Sequence, residues 1–142
     1  MGNVNLLAVF LGALAFFAVG ALWYGVLFGR AWRRLAGAKD ETVASGRLVG
    51  PERVRNPTWL IMLLAFAFEL LIALMVGHNI ARTNPAPHVI MMITTGFGAT
   101  IMTPALGINY LLQRRPGKLF AIDAGHLIIG MAAMGGVFVA LA

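Results

Sequence analysis

The sequence predicts an all-α membrane fold: an up-down bundle of four transmembrane helices, with a short interfacial amphipathic helix after the first span. Three observations carry that expectation. Of the 142 residues, 60% are hydrophobic and only 11% charged, whereas a soluble domain carries about a quarter charged residues. The apolar residues gather into four runs, each long enough for a bilayer core that takes roughly 20 residues to cross. The charges lie between these runs, and ten of the sixteen Lys, Arg, Asp and Glu side chains fall in one segment. A single integral membrane domain, residues 1–142, accounts for the whole chain.

Span one is expected over about residues 6–28. A secretory leader is the competing reading, but Met1-Gly-Asn-Val-Asn5 has no Lys or Arg and the apolar run is too long, so the segment reads as a retained span. After it, Phe28, Ala31, Trp32 and Leu35 share one helical face, with Arg30, Arg33 and Arg34 opposite. This spacing suits a helix lying in the headgroup layer, with Trp32, Arg33 and Arg34 as interface anchors. A span one that simply continues past the membrane is the plainer alternative. The polar stretch from Ala38 to Arg55 carries breaks at Gly46, Gly50 and Pro51 and reads as a loop, with one helical turn from Asp40.

Span two is expected over about residues 57–80, opened by Asn56-Pro57. Span three follows over about 88–112, and span four over about 119–142. The connections are short: Arg82 to His88, stiffened by Pro85 and Pro87, and Gln113 to Lys118. Short links make consecutive spans antiparallel neighbours. In span three, Pro104 removes the hydrogen bond to the Thr100 carbonyl and kinks the helix; Thr94, Thr95, Thr100 and Thr103 are placed to satisfy the freed groups. In span four, Ala121, Gly125, Ala132, Gly136 and Ala140 form a small-residue face on which another helix can pack closely, within the subunit or in a homo-oligomer.

Loop one (30–56) carries seven Lys and Arg residues and loop three (113–118) carries Arg114, Arg115 and Lys118, while loop two has only Arg82. The positive-inside rule therefore puts loops one and three in the cytoplasm, with those three cations at the interface, and both termini outside a bacterial inner membrane. The formal charge of +6 thus belongs to the lipid boundary and not to nucleic acid.

Two sets of polar residues sit at membrane depth. Glu69 lies mid-span between Phe66, Phe68, Leu70 and Leu71, where insertion costs about 2.5–3.5 kcal/mol, so it is a candidate proton or cation site. The structural alternative is a neutral carboxylic acid bonded to a neighbouring helix. Counting inward from the basic boundaries, Trp23, Tyr24, Asn109, Tyr110, Asp123 and His126 share a layer roughly 6–12 Å deep at about 1.5 Å per residue. Asp123 and His126, three apart, can face the same way. They form a small-molecule pocket, a proton relay, or a polar knot pinning spans one, three and four. No metal or cofactor is expected. The chain has no Cys, which excludes disulfide and thiolate chemistry. His126 lies at a different depth from His78 and His88 and so has no axial partner for a haem within a subunit. His78 and His88 could share an outer-leaflet ligand but read more simply as interfacial histidines. Nucleophile triads, phosphate loops and zinc-protease motifs are absent.

Gly20-Ala-Leu-Trp-Tyr24, Leu27-Phe-Gly-Arg-Ala-Trp32 and the stretch from Asn109 to Gly125 with its Arg-Pro-Gly-Lys-Leu-Phe turn resemble the small bacterial membrane proteins of domain-of-unknown-function family 1761. The resemblance extends over essentially the whole chain and implies fold and location, without an activity. Where many members read Asn-Ala-Gly-Tyr-His, this chain has Asp123-Ala-Gly-His126-Leu127, which changes the polar groups of that layer. The leading expectation is a non-enzymatic, homo-oligomeric membrane protein with a structural, accessory or small-ligand-binding role. A proton-coupled exporter using Glu69 is the second, and an enzyme using His126 with Asp123 the third.

The topology has a direct check, because the chain has no native Cys. A Thr83→Cys variant should react with a membrane-impermeant maleimide in intact spheroplasts, and a Gln113→Cys variant should react only after lysis. The reverse pattern overturns the orientation.

Overall fold

The structure, a computed structural model, describes residues 2–37 and 56–142. The expected turn from Asp40 and the rest of that loop lie outside the described residues. Four helices are long and apolar enough to cross a membrane: α1 (Leu6–Leu27), α3 (Thr58–Thr83), α4 (Pro87–Leu112) and α5 (Gly117–Ala140). Their 22 to 26 residues reach roughly 33–39 Å at 1.5 Å per residue, enough to cross a hydrocarbon core of about 30 Å. Span one is thus one residue shorter than its sequence pattern predicts, and the others shift by one to three residues at their ends. Leu63, Phe68, Leu71 and Met75 of α3 are exposed, an arrangement that suits acyl chains and would be costly in water.

Local chemistry sets the helix ends. The Asn5 side chain accepts from the Ala8 N–H and caps α1, while its amide donates to the Leu141 carbonyl beyond α5. Asn84 ends α3 in the left-handed region (φ 44°), donating its N–H to Ile80 O at 2.8 Å. Span one does not run on past the membrane. It closes in a π turn, Trp23–Leu27, and the separate amphipathic helix α2 (Gly29–Gly37) follows. In α4 the disturbance expected at Pro104 takes the form of a second π turn, Gly98–Met102, just before it. The Gly98 carbonyl accepts from both the N–H and the hydroxyl of Thr103 (2.7 Å to Oγ1), and Thr100 Oγ1 donates to Gly96 O. Threonine hydroxyls thus do bond backbone carbonyls around the π turn, at Gly96 and Gly98, but none of these bonds reaches the Thr100 carbonyl.

The helices follow the order α3–α1–α5–α4. Spans one and two pack together, as do three and four, but spans two and three make no substantial contact despite their three-residue link. Short linkage thus fails as a guide to adjacency at that point, because the seams form where backbones can approach. A Cβ on Gly77 of α3 would stand 2.9 Å from Val9, and one on Gly130 of α5 would meet the Phe16 ring at 3.0 Å. On the other side of α5, Gly135 accommodates the Thr94 hydroxyl of α4 and Gly98 lies against the backbone at Ile128. The small-residue face read from sequence is only partly right. Gly125 does receive a side chain, the Trp23 ring at 2.8 Å from its would-be Cβ, but Gly136 has open space beside it and Ala132 is half-buried. Within the subunit, Gly130 and Gly135 are the close-packing positions.

The apolar core (Ala8, Val9, Ala13, Phe16, Ala73, Val76, Ile90, Met131, Met134, Phe138) fills the half of the bundle that carries both termini. Gly130→Leu should destabilise the protein by about 1–3 kcal/mol through overpacking against Phe16. Gly136→Leu should change the stability of the detergent-solubilised monomer by less than about 0.5 kcal/mol. Thermal unfolding of the two variants checks the assignment, and equal melting temperatures would refute it.

Candidate functional site

The other half of the bundle is built differently. The π turn of α1 ends at Phe28 (φ −118°, ψ 4°), whose N–H donates to Trp23 O at 2.7 Å. Gly29 is required next, because a Cβ there would collide with the Tyr24 carbonyl oxygen. The turn brings Trp23 and Tyr24 onto α5: Trp23 Nε1 donates to Ile122 O at 2.9 Å, and the Tyr24 hydroxyl donates to Asp123 Oδ1 at 2.5 Å. The chain then folds back as α2, which lies against α5 with Arg30, Arg33 and Arg34 exposed. Trp32, expected from its amphipathic spacing as a headgroup anchor, also makes a bond within the bundle. It is half-buried on the inward face, and its indole Nε1 donates to Asp123 Oδ1 at 3.1 Å.

Asp123 is therefore the meeting point of three donors from three elements. Tyr24 and Trp32 share Oδ1, and the buried Tyr110 of α4 donates its hydroxyl to Oδ2. Arg115 stacks 5.4 Å from the Tyr110 ring centroid, a cation–π contact that covers the cluster from the loop side. Arg114, in the left-handed region at φ 53°, and Lys118 are exposed beside it. Asn109, placed in this layer by its depth, is not part of it. Its side chain is exposed and donates to Ala105 O of its own helix at 3.4 Å. Depth is a matter of rise, whereas the face is a matter of phase, and Asn109 and Tyr110 differ by about 100° around the helix.

His126 is one turn deeper, and it does not bond to Asp123. Its ring lies edge-on between Phe16 (centroids 5.2 Å) and Tyr24 (5.1 Å), and its Nε2 stands 3.0 Å from where a Gly20 Cβ would be. Gly20 thus makes room for the imidazole. Its role was readable from sequence only as a small residue four before Tyr24, on the same face. Glu69, 9% exposed, lies across from it on α3. Among the described residues, Glu69 Oε2 and His126 Nε2 are the buried side-chain polar atoms left without a hydrogen-bond partner.

Both line one cavity of about 450 Å³ between α1, α3 and α5, walled by Phe17, Gly20, Tyr24, Met62 and Ala65. A larger cleft of about 990 Å³ adjoins it at Tyr24, Met62 and His126 and reaches Asp123, Trp32 and Arg33. These volumes are of the size that small-molecule sites have. The cleft exists because α3 and α4 stand apart and α1 turns away from α3 at its π turn. No three His, Cys, Asp or Glu side chains come together among the described residues.

The chain matches, over residues 7–139, the family described as "Protein of unknown function (DUF1761)". It belongs to that family. Nearly the whole of this DUF1761 chain is covered, so both the Asp123 cluster and the Glu69–His126 cavity lie within the family's matched region. No curated protein and no solved structure matches it. Four helices able to span a bilayer make this DUF1761 member a multi-pass membrane protein.

Asp123→Asn removes an acceptor from a site with three donors. It should cost about 1.5–3 kcal/mol, the worth of hydrogen bonds to a charged group, whereas Asn109→Ala should stay within about 0.5 kcal/mol. Unfolding followed by the fluorescence of Trp23 and Trp32 measures both, and a neutral Asp123→Asn would remove the cluster's structural role.

Proposed function

We propose that this protein is a non-enzymatic inner-membrane protein that binds a small molecule within the bilayer, with Glu69 and His126 as the groups that recognise it. One observation carries the reading: Glu69 and His126, on different helices and each with a buried polar atom unpaired among the described residues, line the same cavity. Leaving a buried polar group unsatisfied costs roughly 1–3 kcal/mol, more for a charged one, so a chain that leaves two such groups facing one space has a use for them there. A purely structural carboxyl would be bonded to a neighbouring helix, as Asp123 is. The basic loops place the Asp123 end of the cleft at the cytoplasmic face and both termini outside. In the same reading the exposed small residues Ala121, Gly136 and Ala140 of α5 form the contact of a homo-oligomer.

A second reading, a proton-coupled exporter, is favoured by one further feature. Glu69, His126, Tyr24 and Asp123 form a succession of proton-bearing groups from mid-membrane toward the loop end, all bordering the two adjoining cavities. The terminal half is closed by apolar packing, so the site has no opening toward the termini. Binding is satisfied by that geometry as it stands, and transport needs the apolar half to part.

Native mass spectrometry of protein released from lipid nanodiscs separates these. The wild type should retain an additional mass that Glu69→Gln and His126→Ala lose while their helicity and melting temperature stay close to wild type. A retained mass indifferent to both substitutions would sink the site. Proton-linked substrate flux in liposomes that vanishes in Glu69→Gln would promote the exporter over the binding protein.

A further inference from the structure

The geometry points to a lipophilic amine as the ligand of the Glu69 cavity, entering sideways from the bilayer between α1 and α3. This rests on the binding reading above and adds the chemical class and the route. Glu69 Oε2 needs a hydrogen-bond donor, and the nine-tenths-buried side chain that carries it has none among the described residues. Among the described residues, no Lys or Arg lines the cavity. The nearest guanidinium at the cleft, Arg33, belongs to the adjoining space beside Asp123. Among the described residues, His126 is the one titratable nitrogen in this lining. A carboxylate here is therefore balanced by a proton, by that imidazole or by a cation that enters the cavity, since an unpaired buried charge is too costly to leave. An ammonium supplies both the charge and several N–H donors. It finds acceptor capacity at Glu69 Oε2 and aromatic walls in Phe17 and Tyr24, whose faces attract cations.

The remaining lining sets the rest of the molecule. Met62, Ala65 and Ala21 are apolar, and they leave space for an alkyl or aryl body, not a second charged group. The mouth faces lipid. Ala21, Gly25 and Met62 are exposed on the outer surface of α1 and α3, and a Cβ on Gly25 would meet nothing within 4 Å. The π turn that presents Gly25 makes no substantial contact with α3, so the two helices part at this level. A partner that dissolves in the acyl layer therefore reaches Glu69 without crossing the cytoplasmic cluster.

The test uses the full-length protein in phosphatidylcholine nanodiscs, with dodecylamine, dodecan-1-ol and dodecanoate as probes and 1:1 adducts counted by native mass spectrometry. Dodecylamine should bind at least about tenfold more tightly than the alcohol or the carboxylate, as expected for a charge-assisted hydrogen bond. Glu69→Gln should erase that preference. Gly25→Trp, which adds bulk at the mouth and leaves Glu69 and His126 in place, should reduce amine binding by a similar factor. Equal binding of all three probes, or none of the amine, overturns the amine class. If the naturally retained mass still depends on Glu69 and His126, the site itself stands. Amine binding untouched by Gly25→Trp overturns the lateral route. Should Glu69→Gln fail to fold, the three-probe comparison on the wild type decides the class alone.

Discussion

The carboxylate of Asp123 holds this architecture together at its loop end. It is one side chain on α5, yet it accepts hydrogen bonds from the α1 π turn, from α2 and from α4. Ionised carboxylates take up to about four such bonds, and each bond to a charge is stronger than one between neutral groups. Three donors explain how an aspartate is accommodated inside a membrane-spanning helix. They also fix three other features: α1 must break at Phe28, α2 must fold back over α5 with Trp32 inward, and α4 must bring Tyr110 to the same level. Without this acceptor, two tyrosine hydroxyls and an indole would lose their shared partner.

Against that anchor, the bundle divides by depth. In the terminal half, glycines let α1, α3 and α5 approach and interdigitate with Val9, Phe16, Met134 and Phe138. In the loop half, the π turn carries α1 away from α3, and cavities open where close packing would otherwise continue. The polar groups follow the same division. Those of the Asp123 cluster are paired and hold structure; Glu69 and His126, one step deeper, face space. A satisfied network beside two unsatisfied atoms is the pattern expected where a scaffold positions groups for something that is not part of the chain.

Helix irregularity does much of the placing. A π turn inserts a residue and shifts the face of everything after it, at the expense of regular hydrogen bonding. In α1 it turns Trp23 and Tyr24 toward α5 and exposes Gly25. In α4 it precedes Thr103-Pro104, and the Thr103 hydroxyl donates to Gly98 O. The first closes α1 at its loop end, beside the cavities, and the second lies at the middle of α4.

The four apolar runs and the charged segments between them were sufficient for the sequence to determine the number of spans and their approximate limits, because a bilayer imposes a length and an apolar composition that composition alone reveals. The break before α2 was one of two readings until the π turn decided it. Depth counting also found Trp23, Tyr24, Tyr110 and Asp123, since rise per residue is fixed. Only the tertiary structure decided the rest. Which way Trp32 points, that Asn109 faces outward, that Gly130 and Gly135 and not Gly136 form the seams, and that spans two and three stand apart all depend on rotational phase and helix order. A one-residue π insertion alters phase, and side-chain fit sets order; neither leaves a periodic signal in the chain. For the same reason Glu69 and His126, distant in sequence and assigned to separate features by their pattern, became one site only when α3 and α5 were placed on either side of α1.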